Sequence, residues 1–105
     1  MMKRDSFLKK VKQKIMQQDP SAKVLLFGSR NRNEATVGSD WDILVLSKED
    51  EEISQLERKI GNVLYDLELE TGQVINPLVY SEKEWYRKYY VTPFFENVMN
   101  ESTKL

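Results

Sequence analysis

Two short apolar runs, each bounded by polar residues and flanked by helix-type segments, limit this chain to a small mixed fold. Residues 24–27 form a continuous apolar run, typical of a buried strand, that ends abruptly at Gly28-Ser29. In residues 41–46, successive side chains lie on alternate faces and all but the acid at position 42 are apolar, which predicts a second strand. The polar residues between the runs predict a short helical turn followed by a loop.

Helical periodicity surrounds these strands. Residues 5–18 place apolar side chains at helical spacing on one face, with lysines around the rest. Residues 53–67 repeat apolar side chains over about four turns and predict a second, longer helix. Ser47 to Asp50 resembles a capping box for that helix, and Thr71-Gly72 predicts its end.

The last third of the chain predicts one more strand and two short helices. Residues 74–80 predict a strand, and Pro77, which has no backbone N–H, predicts that the strand either lies at a sheet edge or leaves a ladder position unpaired there. Ser81 to Glu84 is a second capping box, and Thr92-Pro93 begins a final helix. The order α-β-turn-β-α-β-α-α predicts an α/β (α+β) fold, with a sheet of three or four strands in one domain over residues 1–105.

Composition excludes several chemistries. The chain has no histidine and no cysteine, which excludes Ser-His or Cys-His catalysis and zinc-thiolate sites. A net charge of -1 disfavours binding to long nucleic acid, because such binding requires an excess of cations. No apolar run approaches the roughly 18 residues that a membrane span needs, and no signal peptide is evident. We therefore expect a cytoplasmic protein that works through carboxylates, hydroxyls, cationic side chains and hard metal ions.

Two acids at the start of the second strand are candidate metal ligands. Asp40 and Asp42 are two residues apart, so their side chains project from the same face, roughly 6.5–7 Å apart. Carboxylates placed in this way can converge on a pair of Mg²⁺ ions about 3.5–4 Å apart, and Mg²⁺ prefers oxygen ligands. As an alternative, Asp40 is a plain loop acid and Asp42 caps a neighbouring group.

The turn after the first strand is a candidate phosphate site. Gly28 lets the backbone approach a phosphate closely, and Ser29 adds a hydroxyl donor. Arg30 and Arg32 supply positive charge for phosphates. Each motif alone is weak, but a strand, Gly-Ser, a polar segment, Asp-x-Asp and a second strand together favour a nucleotide site.

The stretch over residues 28–45, GSRNRNEATVGSDWDILV, resembles the signature of the polymerase-β-like nucleotidyltransferase superfamily. It is most similar to the minimal nucleotidyltransferases, whose signature reads G-S-x-A-R-G-x-A and then S-D-x-D-[LI]. The resemblance implies a small palm-like sheet with helices packed on one side, and ATP or another NTP as substrate. It also implies that Gly28 and Ser29 bind phosphates, that Asp40 and Asp42 are catalytic ligands of Mg²⁺ or Mn²⁺, and that Ser39 shapes the loop.

The sequence departs from this family pattern in three ways. The family's A-R-G is replaced by Asn31, Arg32 and Asn33, and asparagine at position 33 tolerates left-handed backbone. The third strand lacks the third carboxylate of active relatives. Asn76 stands there, and it can offer a carbonyl to a metal but cannot act as a general base. Glu68 and Glu70, just upstream, are the nearest substitutes.

The resemblance also implies a partner. Members of this group typically pair with a helical HEPN-domain protein as antitoxins, and some transfer AMP to a tyrosine of it. The alternative is a weak or inactive nucleotide-binding antitoxin that acts by contact alone. The interpretation of Asp-Trp-Asp as the metal-binding motif of a glycosyltransferase is disfavoured, because the chain is far too short for that fold. An aromatic-rich tail predicts either core packing or a surface for the partner or a second copy: Trp85, Tyr86, Tyr89, Tyr90, Phe94 and Phe95.

Overall fold

The structure is a computed structural model that describes residues 4–32, 34 and 38–105. Four strands form one mixed sheet in the order β3-β2-β1-β4, in which β1 is antiparallel to β2 and β4, and β2 is parallel to β3. This confirms the predicted α+β class. The elements in chain order are α1 (Arg4–Gln18), β1 (Lys23–Phe27), β2 (Trp41–Ser47), α2 (Ile53–Thr71), β3 (Ile75–Ser81), α3 (Glu82–Lys88), α4 (Pro93–Glu101) and β4 (Thr103–Lys104).

Helices α1 and α2 cover one face of the sheet. Their apolar stripes pack against alternate residues of the strands, including Trp41, Ile43 and Val45 of β2. An exposed ion pair between Lys10 and Glu70, 2.9 Å apart, joins the two helices at their rim. The apolar periodicity in the sequence predicted this layer, because it repeats over four turns in α2 and over most of α1.

A second apolar cluster lies on the opposite face, so the expectation of helices on one side only is wrong. Leu25, Leu44 and Leu46 of the sheet pack there against Trp85 of α3 and Val98 of α4. The fully buried Trp85 ring contacts the rings of Tyr80, Tyr89, Phe94 and Phe95. The aromatic tail is therefore largely core. Helices α3 and α4 are short, seven and nine residues, and at the end of the sheet beside them Asp42 is half-buried and Asn76 exposed.

Three helix termini agree with the prediction from the sequence, and one does not. Ser81 and Thr92 accept hydrogen bonds from the Glu84 and Phe95 backbone N–H groups, and left-handed Gly72 ends α2, as expected. The capping box expected at residues 47–50 is absent. Glu49 instead accepts from the N–H groups of residues 51 and 52, and α2 begins only at Ile53.

None of the helices in the described part of the chain is both long and apolar enough to span a membrane. Among the strands of residues 4–32, 34 and 38–105, β3 pairs with β2 alone, which confirms the edge position as one of the two that Pro77 predicted.

The Ser47 hydroxyl makes other hydrogen bonds in place of a cap on α2: its Oγ accepts from the Glu49 N–H at 2.9 Å, and its O–H group binds Asp19. Ser47 is fully buried and donates to Asp19 Oδ2, while the Ser21 hydroxyl and N–H donate to Asp19 Oδ1. Burial of Asp19 acts to raise the pKa of its carboxyl. The hydrogen bonds from Ser47 and Ser21 outweigh burial, and the pKa lies below its ordinary value. This carboxylate thus connects the end of α1 to the end of β2.

This network predicts a pH-dependent loss of stability. A lowered folded pKa stabilises the fold above the unfolded pKa of about 4, and the contribution is lost as the pH falls through the folded value. Asp19→Asn should reduce the free energy of unfolding at neutral pH by about 1–2 kcal/mol. The difference from wild type should shrink below about pH 4. Urea unfolding across this range measures it, and a difference that is constant with pH would contradict the assignment.

Candidate active site

Three chain segments meet at one end of the sheet. Because β1 is antiparallel to β2 and β3 is parallel to it, the end of β1 lies beside the beginnings of β2 and β3. The register pairs Phe27 with Asp42, and Asp42 with Asn76. Asp42 thus lies centrally, between the Gly28-Ser29 turn and Asn76. It is half-buried, whereas Asp40, just before the strand, is exposed.

Gly28 makes room for the Asp42 carboxylate. Its φ of 77° is a left-handed conformation, which favours glycine. A Cβ atom at this position would lie 2.2 Å from Asp42 Oδ2 and 3.1 Å from Asp42 Cγ. Only a residue without a side chain allows the carboxylate to lie against the turn. The glycine predicted to approach a phosphate is therefore also required by the neighbouring acid.

Asn76 holds the other oxygen of the same carboxylate. The Asn76 side-chain amide donates to Asp42 Oδ1 at 3.1 Å. An ionised carboxylate only accepts hydrogen bonds, so the amide nitrogen and not its carbonyl must face Asp42. The two oxygens of Asp42 thus have different neighbours, with Gly28 beside Oδ2 and Asn76 bound to Oδ1.

The turn after β1 has a helical hydrogen-bond pattern. The N–H groups of Asn31 and Arg32 donate to the Gly28 carbonyl, and the Glu34 N–H donates to the Ser29 carbonyl. Ser29 is half-buried, and within the described ranges its hydroxyl has no hydrogen-bond partner. A hydroxyl at the beginning of a helical turn suits a phosphate oxygen.

The two arginines of the turn have different surroundings. Arg30 donates from Nε and Nη2 to the Ser39 carbonyl at 3.2 and 2.9 Å, and its guanidinium lies 4.4 Å from the centre of the Trp41 ring. It ties the turn to the segment that carries Asp40. Arg32 is exposed and pairs with Glu34 at 3.1 Å and Glu101 at 3.8 Å. Exposed pairs of this kind are weak, so Arg32 is the arginine that can turn to a phosphate at little cost.

Asn31 explains one departure from the family signature. Its amide nitrogen donates to the Glu101 carbonyl, and its Oδ1 accepts from the Thr103 hydroxyl at 2.6 Å. The alanine of the signature has no polar side chain for these bonds. Sequence reasoning missed this role, because β4 had not been predicted. Asn33, which was expected to keep a left-handed backbone, lies outside the described residues.

The acids before and at the start of β2 provide two carboxylates, whereas Glu34 and Glu101 near the turn pair with Arg32. Within residues 4–32, 34 and 38–105, no three His, Cys, Asp or Glu side chains form a metal-binding group. Glu68 and Glu70 belong to α2, on the opposite face of the sheet from Asp42, and Glu70 pairs with Lys10. Mg²⁺ commonly takes one or two carboxylates together with substrate phosphates, so this donor set fits an ion that arrives with a nucleotide.

A cleft of about 210 Å³ opens beside Gly28, between the turn and α4. Phe27 and Phe94 contribute aromatic edges, with ring centres 5.6 Å apart, and Arg32 and Asn97 contribute polar atoms. The cleft is continuous with the turn and gives part of a small ligand an apolar wall.

Comparison with known families identifies this arrangement. Residues 8–97 match the nucleotidyltransferase domain family. The chain belongs to that family. The match supports the polymerase-β-like superfamily inferred from residues 28–45, and nucleotidyltransferase domains generally use a nucleoside triphosphate and a divalent metal. No curated protein matches the chain. The minimal subtype is not resolved by the match.

The packing of Gly28 predicts that alanine at this position lowers the unfolding free energy more than alanine at a glycine with open space around it. Gly28→Ala and Gly72→Ala both place alanine at a φ near +75°, but the space around Gly72 is open. We expect Gly72→Ala to lose about 1–2 kcal/mol of unfolding free energy. Gly28→Ala should lose about 1 kcal/mol more, because the Asp42 side chain must turn away from its observed position.

Urea unfolding of both variants measures this difference. Adding Asp42→Ala to Gly28→Ala should recover part of the excess, because the two residues are in contact. Equal losses at Gly28 and Gly72 would show that the carboxylate does not lie against the turn.

The Asn31 bonds predict a second, smaller effect. Asn31→Ala should cost about 1–2 kcal/mol, since one hydrogen bond from the turn to the end of α4 and one to β4 are lost. Thr103→Val should cost about 1 kcal/mol, and the double variant should cost less than the sum of the two. Strict additivity in urea unfolding would contradict a shared network.

Proposed function

We propose that this nucleotidyltransferase domain transfers AMP from ATP to a tyrosine hydroxyl of a HEPN-type toxin and thereby acts as its antitoxin. The observation that carries the transferase part is the Asp42 carboxylate lying against Gly28, with Asp40 two residues before it. The identity of the acceptor and of the partner rests on the resemblance over residues 28–45.

Each residue of the site has a distinct part in this proposal. Gly28 and Ser29 bind the nucleotide's phosphates through backbone N–H groups and the free hydroxyl. Asp40 and Asp42 hold Mg²⁺ or Mn²⁺. The ion supplies positive charge to the phosphates and to the departing pyrophosphate. Arg32, at the mouth of the cleft, adds further positive charge.

The transfer step forms one bond and breaks one. The acceptor oxygen bonds to the α-phosphorus, the bond from that phosphorus to the oxygen bridging to the β-phosphate breaks, and pyrophosphate leaves. The acceptor's proton passes to solvent, because the Asn76 amide cannot accept it. We therefore expect slow turnover.

Exposed apolar side chains offer a surface for a protein partner. Tyr86, Tyr90 and Val91 are 43%, 59% and 72% exposed, at the end of α3 and in the link to α4. Grouped apolar side chains on a surface are typical of interaction sites. This supports a protein acceptor or a second copy of the chain more than a free small-molecule acceptor.

Labelled ATP tests the transfer. The purified protein is incubated with Mg²⁺ and with the product of the adjacent reading frame, where that frame encodes a small helical protein. ATP labelled at the α-phosphate should label the partner, and ATP labelled at the γ-phosphate should not, because pyrophosphate leaves. Asp40→Ala and Asp42→Ala should reduce labelling by at least about 100-fold, in the range seen when catalytic charge stabilisation is lost.

Exposed acids away from the site provide matched controls. Asp66→Ala on α2 removes one carboxylate without touching the site and should keep full labelling. Label from the γ-phosphate would indicate phosphoryl transfer instead. Label that survives both Asp40→Ala and Asp42→Ala would reject the proposed site.

The second candidate is an antitoxin that neutralises its partner by contact alone. The observation that favours it is Asn76, a neutral amide bound to Asp42 on the strand expected to carry a third acid. In a growth assay with the partner expressed, Asp40→Ala would then still neutralise, whereas charged substitutions at Tyr90 and Val91 would not. Loss of neutralisation in Asp40→Ala favours transfer.

A further inference from the structure

The two oxygens of Asp42 differ in a way that bears on how many cations the site holds. Oδ2 lies beside Gly28, on the side of the turn proposed to bind phosphates. Oδ1 accepts a hydrogen bond from Asn76, whose backbone pairs with Asp42 across the parallel strands. A cation shared with a phosphate can reach Oδ2 directly, whereas a cation on the β3 side must displace the Asn76 amide from Oδ1.

We propose that Asn76 is a positioning residue whose amide takes the place of a second cation, so that the site binds a single divalent ion together with the nucleotide. This inference rests on the proposed function, because the single ion is the one that accompanies the phosphates. It differs from a role for Asn76 as a metal ligand, in which the side-chain carbonyl would face the ion.

The charge of the site agrees with this assignment. In the protein without nucleotide, one divalent cation balances the two carboxylates of Asp40 and Asp42. Two carboxylates paired across neighbouring parallel strands lie close enough to repel each other, and a second cation between them relieves that repulsion. Asn76 removes the repulsion without an ion, because its amide donates where a carboxylate would compete. The described residues offer no third carboxylate to hold a second cation.

Counting bound Mn²⁺ tests the inference directly. The electron paramagnetic resonance signal of free Mn²⁺ is followed as the ion is added to the whole chain with α,β-methylene-ATP, which cannot be cleaved between these phosphates. Wild type should bind one Mn²⁺ per chain. Asn76→Asp should bind two, and the matched control Asn62→Asp, which adds the same charge at an exposed position of α2, should bind one.

A second variant separates the two roles of Asn76 and does not depend on the folding of Asn76→Asp. Without nucleotide, Asn76→Ala should bind Mn²⁺ several-fold more tightly than wild type, because no amide competes for Oδ1. If Asn76 were a ligand through its carbonyl, the same variant would bind more weakly. Unchanged or weaker binding therefore overturns the inference.

The outcomes also separate this inference from the proposed function. Two Mn²⁺ ions bound to wild type, or one bound to a folded Asn76→Asp, overturn the role of Asn76 and leave nucleotidyl transfer standing. Failure of wild type to bind either Mn²⁺ or the nucleotide analogue overturns both. One ion in wild type and in Asn62→Asp, two in Asn76→Asp and tighter binding in Asn76→Ala support the inference.

Discussion

The candidate site depends on one contact, the Asp42 carboxylate against the backbone of Gly28. The contact requires a residue without a side chain at the end of β1 and an acid opposite it on β2, in the observed register. A slip of one residue would turn Asp42 toward the apolar cluster beneath α1 and α2. Directly after Asp42, Ile43 packs in one cluster and Leu44 in the other, and both are fully buried. The two clusters therefore stabilise the site as well as the sheet.

A second set of contacts joins the turn to the acids. Arg30 binds the Ser39 carbonyl and lies over Trp41, so the residues that begin the turn and those that lead into β2 are held as one unit. Trp41 is buried beneath it and also contacts Phe7 of α1. The geometry favours a structural role for Arg30. In the proposed function, Arg32 is then the arginine that supplies positive charge to the phosphates. A guanidinium engaged by a carbonyl and a ring costs more to redirect than one in exposed ion pairs.

The sequence predicted the parts of this structure that follow from local patterns. Periodicity was sufficient for α1, α2 and three strands, and the spacing of Gly28 and Asp42 was sufficient to associate the turn with the acids. The rest depends on residues distant in the chain. Strand β4 has two exposed residues and no apolar pattern, so only its pairing with β1 defines it. The cap expected at Ser47 failed because α2 begins only at Ile53; the Ser47 Oγ accepts from the Glu49 N–H, and its hydroxyl donates to Asp19, 28 positions earlier. The Asn76 hydrogen bond required the parallel register of β3, which periodicity does not give.

The substitution of an amide for an acid on β3 changes how the site behaves before any ligand binds. A third carboxylate beside Asp42 would raise repulsion in the metal-free protein, and part of the binding energy of the ions would be spent in relieving it. With Asn76, the Asp42 carboxylate is satisfied in the free protein and keeps Oδ2 directed at the turn. With Asn76 in place of a carboxylate, however, the described part of the site lacks a base that could take the proton of the acceptor hydroxyl. An Asp42 carboxylate that is hydrogen-bonded without metal is nevertheless compatible with the nucleotidyl transfer proposed above.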